Sequence, residues 1–413
     1  MYGSEENSKH TLSPYHNYSR SVIKTAIDDE EEKQDSELLR KIHPLLVVFL
    51  FTGLDFRHQS PRQRTKNSVR RETVTTISCA LIHIISWIFA LLIFWGAFVN
   101  ENSIPLKQYI MNRFVEILII FLRSVLYWRR KDIVNILRHL SSAYNKIKYL
   151  SKNLNRRIML VFVIVYPGIY LLLNGVIFFT SIAESDEHFK NYVRGSYITV
   201  IPLTLSIDVY YLLGVIQFLF LSINSLTMCL LVILLLVVFT TLNLTLQDYF
   251  KSISSSGVTF ASLQKHYTSV MNTIKEVDKC LSFPLFVFLG MHIFFMFFII
   301  SIFYWPANWL DNSPTALKYF FRLVFILYLL QYCAMTTLAA KVHENVQNIK
   351  TEVAKISNCP SVPTDVEQLL LISKINSHSN ICLTLWGFMN ITRNSVFSSF
   401  GALLTFGIVI RDI

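Results

Sequence analysis

Asp208, Tyr210 and Tyr211 put one carboxylate beside two phenols within about one helical turn of an otherwise apolar stretch. Aromatic faces with a single polar anchor suit a small amphiphile. Further apolar stretches hold Tyr170, Asn174, Gln217, His292, Tyr328 and Gln331, together with Arg113, Glu116 and Arg322. Polar and ionisable groups in such stretches are costly to bury and are functional candidates for that reason. The first nine are taken as ligand-binding candidates, with His292 also suiting a satisfied packing role. Arg113 and Glu116 lie three residues apart, where helical side chains can pair with each other. None of this suggests covalent catalysis. The chain has no His-Glu-x-x-His, no Gly-x-Ser-x-Gly, no phosphate-binding glycine loop and no metal-type spacing of Cys and His. A protein that is not an enzyme, with no cofactor, is expected.

The segments that position these residues read as membrane spans. Of 413 residues, 53% are hydrophobic and only 16% charged, against about 25% charged in soluble domains. Apolar segments fall at residues 75–98, 109–128, 158–182, 200–244, 280–305, 318–340 and 395–410. Several exceed the roughly 18 residues that cross a bilayer core. The expected fold is an all-α membrane protein of seven transmembrane helices; a β-barrel would alternate in segments of about ten residues. The fourth segment would run about 67 Å as one helix. It either projects beyond the bilayer or breaks near Ser222-Ile223-Asn224-Ser225, which would give eight spans and turn the C-terminus inside.

A net charge of +11 raises nucleic acid as a partner, but the position of the charge excludes it. Alternate loops carry 23 Lys and Arg residues against 3 in the others. Positive residues stay on the cytoplasmic side, so the N-terminus is cytoplasmic and, with seven spans, the C-terminus extracellular. That sense is opposite to a G-protein-coupled receptor. Residues 1–40 hold nine acids and five bases with little apolar content, a disordered cytoplasmic tail; no cleavable signal peptide is expected.

Beyond the second span, Ile133, Ile136, Leu137, Leu140, Tyr144, Ile147, Leu150 and Leu154 recur at three- and four-residue steps. They form an amphipathic helix whose basic face suits lipid headgroups and whose apolar stripe needs a packing partner. Residues 341–380 carry a second such pattern at Val366, Leu369, Leu370, Ile372 and Ile375. The six cysteines read as small packing residues. The sequons at Asn17, Asn243 and Asn390 all fall on the cytoplasmic side, so no glycan is expected.

Near the chain end, Leu385-Trp386-Gly387-Phe388-Met389-Asn390-Ile391-Thr392-Arg393 precedes Ser398-Ser399-Phe400-Gly401-Ala402-Leu403-Leu404-Thr405-Phe406-Gly407-Ile408-Val409-Ile410. This resembles the C-terminal signature of arthropod gustatory receptors: Thr-Tyr, five hydrophobic residues, then Gln-Phe. Here Phe406 stands for the Tyr, Arg411 for the last hydrophobic residue, Asp412 for the Gln and Ile413 for the Phe. The segment from His43 to Gly53-Leu54 is similar to the family's pre-membrane helix, which ends in Gly-Leu.

The resemblance implies a ligand-gated, non-selective cation channel of four subunits, a homo- or hetero-tetramer with related receptor chains. It implies a small-molecule tastant, membrane lipid as surroundings, and the plasma membrane of a sensory neuron. The domain reading is then a tail at 1–40, a pre-membrane amphipathic helix and basic linker at 41–74, and spans one to six with cytosolic extensions at 75–340. A cytosolic anchor helix and a pore-lining seventh helix follow at 341–413. On the pore helix, Thr405, Ile408, Val409 and Asp412 would lie on or near the conduction path, with Ser398, Gly401 and Leu404 deeper on the same face. Four copies of Asp412 would make an acidic ring attractive to cations. The alternative is a secondary transporter of a small organic solute, which would show internal repeats and paired broken helices. Pro167-Gly168 and Pro284 are present, without matching halves.

Overall fold

The computed structural model describes residues 36–57, 66–98, 106–145, 156–187, 189–190, 193, 206–254, 260–304, 315–357, 366, 372–373, 375 and 382–412. These form helices α1 (Ser36–Phe49), α2 (Lys66–Phe98), α3 (Leu106–Trp128), α4 (Arg130–Asn145), α5 (Arg156–Glu184), α6 (Ile207–Ser254), α7 (Phe260–Tyr304), α8 (Thr315–Ser357) and α9 (Arg393–Asp412). A small hairpin of β1 (Thr384–Leu385) and β2 (Met389–Asn390) precedes α9.

Helix α6 is the axis of the bundle. Its 48 residues run without a break through Ser222-Ile223-Asn224-Ser225, so it spans about 72 Å and the broken, eight-span reading is corrected. Around these residues two polar side chains find partners, while Ser222 Oγ and Asn224 Nδ2 are buried without one. Thr227 donates to the Ile223 carbonyl at 2.8 Å, and Ser225 accepts from Asn174 at 3.0 Å. From Met228 to Leu235 every residue of α6 is buried, enclosed by α5, α7 and α8.

The pre-membrane helix reaches back to Ser36, inside the stretch expected as tail. Leu38, Ile42, Leu45, Leu46 and Phe49 recur at helical spacing and are all buried; they dock against α4, α5 and α6. The turn after it ends on Gly53, at φ 81°, whose N–H reaches the Leu50 carbonyl at 3.1 Å. A left-handed residue suits glycine. Space demands it as well, since a Cβ there would lie 3.0 Å from Ile82 Cγ2. The basic linker is part helix, because α2 already begins at Lys66.

The amphipathic stretch after the second span forms α4 as far as Asn145. Ile133, Ile136, Leu137 and Leu140 are buried against α1, α6 and α7 of the same chain; Ile147, Leu150 and Leu154 lie outside the described residues. Arg129 ties this corner to α7 by donating to the carbonyls of Lys279 (2.9 Å) and Cys280 (3.0 Å).

Among the described residues, five helices contain stretches long and apolar enough to cross a membrane: Glu72–Leu92, Met159–Thr180, Ile207–Ile253, Ser262–Ser301 and Lys318–Val353. The expected second and seventh spans are the 23-residue α3, which carries Lys107, Arg113, Glu116 and Arg123, and the 20-residue α9. On α2 and α5 many large apolar side chains face outward, with Leu91 64% and Leu172 66% exposed. Such broad apolar faces suit lipid, not water. The helices of expected spans four to six run beyond their apolar segments: α6 to Ser254, α7 from Phe260 and α8 to Ser357.

Candidate functional site

Two groups of predicted residues assemble at different levels of the bundle. In the first, α5 contributes Tyr166 and Tyr170, α7 contributes His292, and α8 contributes Tyr328 and Gln331. The Gln331 side chain joins the three helices. One end of its amide lies 2.5 Å from the Tyr170 hydroxyl and the other, Oε1, 2.9 Å from His292 Nε2. His292 Nδ1 lies 2.8 Å from the Phe288 carbonyl, which can only accept, so Nδ1 carries the proton. A neutral ring then offers a lone pair at Nε2. The amide nitrogen of Gln331 therefore faces His292 and its oxygen accepts from Tyr170, since the heavy-atom positions alone do not separate the two ends of an amide. The His292 and Tyr328 rings lie 4.9 Å apart, and Tyr166 meets Tyr170 edge-on at 5.6 Å. This is an aromatic cage with neutral hydrogen-bonding groups, and every backbone turn around it is intact helix.

The second group lies at the start of α6. Tyr210 is fully buried among Phe178, Phe189 and Val193. Gly214 admits this packing, because a Cβ there would sit 2.5 Å from Phe189 Cζ. Tyr211 stacks on Phe189 at 4.9 Å and its hydroxyl donates to Asp186 at 3.3 Å. Asp208 is exposed, so the single anchor expected between the two tyrosines resolves otherwise: Tyr211 takes its carboxylate from the preceding connection. Between the two groups along their helices, Asn174 donates to Ser225, and Gln217 is buried with neither amide atom partnered.

The pore candidates lie on α9. Thr392 caps this helix: its hydroxyl accepts from the Ser395 N–H at 3.3 Å, while Ser395 Oγ accepts from the Thr392 N–H at 2.9 Å, a reciprocal arrangement of the capping-box kind. The hairpin just before it has a three-residue connection, Trp386 to Phe388, with Trp386 and Gly387 at φ 51° and 72° and the Phe388 N–H closing the turn on the Leu385 carbonyl at 3.0 Å. Asp278 of α7 fixes the hairpin by accepting from the Thr384 N–H at 2.6 Å and from its hydroxyl at 3.1 Å. Trp386 packs over Phe283 at 4.8 Å.

Ser398, Gly401 and Thr405 are exposed along α9, with the Thr405 hydroxyl donating to the Gly401 carbonyl at 2.9 Å. Only the helical backbone of Leu404, Ile408, Val409 and Asp412 is described. Ser399 and Phe400 turn the other way, toward α8, where the Tyr332 and Ser399 hydroxyls lie 2.5 Å apart and Tyr332 meets Phe400 edge-on at 5.6 Å.

Solved structures share this fold. The insect olfactory receptor OR5 from Machilis hrabei aligns with a TM-score of 0.57 and 13% identity over 90% of this chain and 98% of that one. The same receptor in complex with eugenol aligns at 0.55, again at 13% identity, over 91% and 99%. No sequence among curated proteins matches. The family model described as 7tm Chemosensory receptor matches residues 42–410. The chain belongs to that chemosensory receptor family. It is a multi-pass membrane receptor.

Sequence reasoning missed several residues of this receptor. Tyr166 was legible as one turn before Tyr170; Phe178 and Phe189 carried no signal, because they depend on how a connection folds back onto α6. Arg123 is fully buried. Its Nη1 reaches only Asn224 Oδ1, at 3.5 Å, and its Nε and Nη2 have no partner. The bland pairing proposed for Arg113 with Glu116 involves an Arg113 side chain outside the described set, while Glu116 is buried. Among the described residues, no three His, Cys, Asp or Glu converge to hold a metal.

Proposed function

We propose that this receptor is a gustatory, ligand-gated, non-selective cation channel of four chains in the plasma membrane of a sensory neuron. It has seven spans, a cytoplasmic N-terminus and a pore lined by α9. The observation that carries this is the outward stripe Ser398, Gly401 and Thr405. Small and hydroxyl-bearing residues are a poor lipid face beside the Leu- and Ile-rich faces of α2 and α5, and an apt wall for water and ions. Four copies around an axis would place these stripes face to face, with Asp412 at the outer mouth.

The ligand site is the column from Tyr210 down to the Tyr170–Gln331–His292 cage, with Tyr328 as its aromatic wall and Asn174 and Gln217 between. Its groups are neutral, so the tastant is a small neutral molecule with one or two hydrogen-bonding groups. The Machilis receptor's complex with eugenol supports a ligand of this size and kind.

The test is whole-cell current from cells expressing this chain alone, challenged with sugars, plant alkaloids and neutral phenols such as eugenol. A ligand-evoked cation current, with lower calcium permeability in Asp412→Asn, is expected. Uptake of labelled solute without current would overturn the channel and favour the transporter.

A further inference from the structure

Helix α8 meets the ligand cage and the pore helix through two consecutive residues. Gln331 is buried and holds Tyr170 of α5 and His292 of α7. Tyr332 is buried as well, and its hydroxyl is bonded to Ser399 of α9. Neighbours on a helix point about 100° apart, so one rigid turn of α8 has one hand in the cage and the other on α9. Helix α9 also packs along α7, and its exposed base is held by an ion pair of Arg393 with Glu344; toward α8 the described contacts centre on Tyr332, whose ring also meets Phe400. The rest of its described length is open on one side.

We propose that the Gln331–Tyr332 turn couples the cage to the pore helix, with Tyr332 as the positioning residue for α9. This rests on the ligand site and pore helix assigned above. The physical basis is the scarcity of alternatives inside a membrane. A ligand that takes a hydrogen bond from Tyr170 or Gln331 removes the tie that sets the rotation of α8 at this turn. No water competes there for the freed groups, so α8 settles in a new rotation. The Tyr332–Ser399 bond and the ring contact with Phe400 then carry that rotation into α9. The hydroxyls on both sides are essential to this, whereas a residue serving only as packing would tolerate loss of its hydroxyl.

Spatial adjacency is not coupling, so the test measures coupling directly and needs no ligand. A cysteine at Thr405 (Thr405→Cys) reports exposure of α9 through its rate of reaction with a water-soluble maleimide in the purified full-length protein, read against the same protein without it. Gln331→Leu is expected to change that rate by about threefold to tenfold, the effect of one interhelical hydrogen bond in a membrane. In a Tyr332→Phe or Ser399→Ala background the same Gln331→Leu change should have no effect, while Ser399→Thr, which keeps the hydroxyl, should restore it. A Gln331→Leu effect that survives Tyr332→Phe, or no effect in either background with thermal stability unchanged, overturns the coupling. A Gln331→Leu protein that does not fold is replaced by Tyr170→Phe, which breaks the same tie and must give the same pattern. Where wild-type protein takes up labelled solute without current but the labelling pattern holds, the channel assignment fails and the coupling stands.

Discussion

The inner and outer halves of this receptor are built on different plans. Around α1 and α4, the inner half, the adjoining lengths of α3, α5, α6, α7 and α8 share one continuous core, in which Phe239, Leu246, Tyr249, Tyr267, Ile274 and Val346 are all sealed. At the opposite end, the outer half, the packing falls into separate knots: Ala90 with Ile120 and Phe220, Phe298 with Ile299 and Val324, and Phe178 with Phe189, Val193 and Tyr210. A single dense core resists rearrangement. Separate knots can shift against one another at low cost. Tyr328 of the cage packs against both the large core and the Phe298 knot, so the cage sits at the border between the two kinds of packing.

The largest test of that contrast sets a core residue against an outer one. Phe239→Ala should cost about 3–5 kcal/mol, read as a fall in the thermal midpoint of the detergent-purified receptor. Phe218→Ala, beside the outer Phe178 knot, should cost less than half as much. Equal losses would mean that the halves are equally rigid.

A smaller effect is expected where the inner half is pinned by backbone geometry. Gly53→Ala forces a side chain into a left-handed residue and against Ile82, and should cost about 1–3 kcal/mol. A variant as stable as wild type would show that the pre-membrane turn does not anchor α2.

The smallest effect belongs to Asp55, next to that turn. Burial alone would raise its pKa, but the Arg57 side chain and N–H more than offset this and hold it below the usual carboxylate value. The guanidinium is close on both oxygens, at 2.8 and 2.9 Å. A depressed folded pKa adds stability that is present above the ordinary carboxylate pKa of about 3.9 and lost as the pH falls through the lower folded value. Asp55→Asn should therefore lower the thermal midpoint at pH 7 and lower it less at pH 3. A loss that is the same at both pH values would remove the carboxylate from the inner anchor.

Much of the candidate site was legible residue by residue, and its grouping was not. Tyr170, His292, Tyr328 and Gln331 stood out as polar groups in apolar stretches, yet they come from three helices, with Tyr170 more than a hundred residues before the others. Asp208, Tyr210 and Tyr211 looked like one site because they are neighbours in sequence; the fold keeps both tyrosines against Phe189 but leaves Asp208 exposed, because neighbours on a helix point in different directions. Tyr332 and Ser399 carried no signal at all, since a tyrosine beside a cage residue and a serine among serines look like any others.

The sequence by itself determined the membrane class, the long apolar helices and the amphipathic helix after the second apolar segment. Each follows from local hydropathy or charge. Only the tertiary structure decided that α6 is one unbroken helix, that Gln331 joins α5 to α7, and that the next residue holds α9. Those depend on which helix faces which, and the apolar surfaces that drive helix packing in a membrane are too alike along the chain to specify a partner from sequence alone.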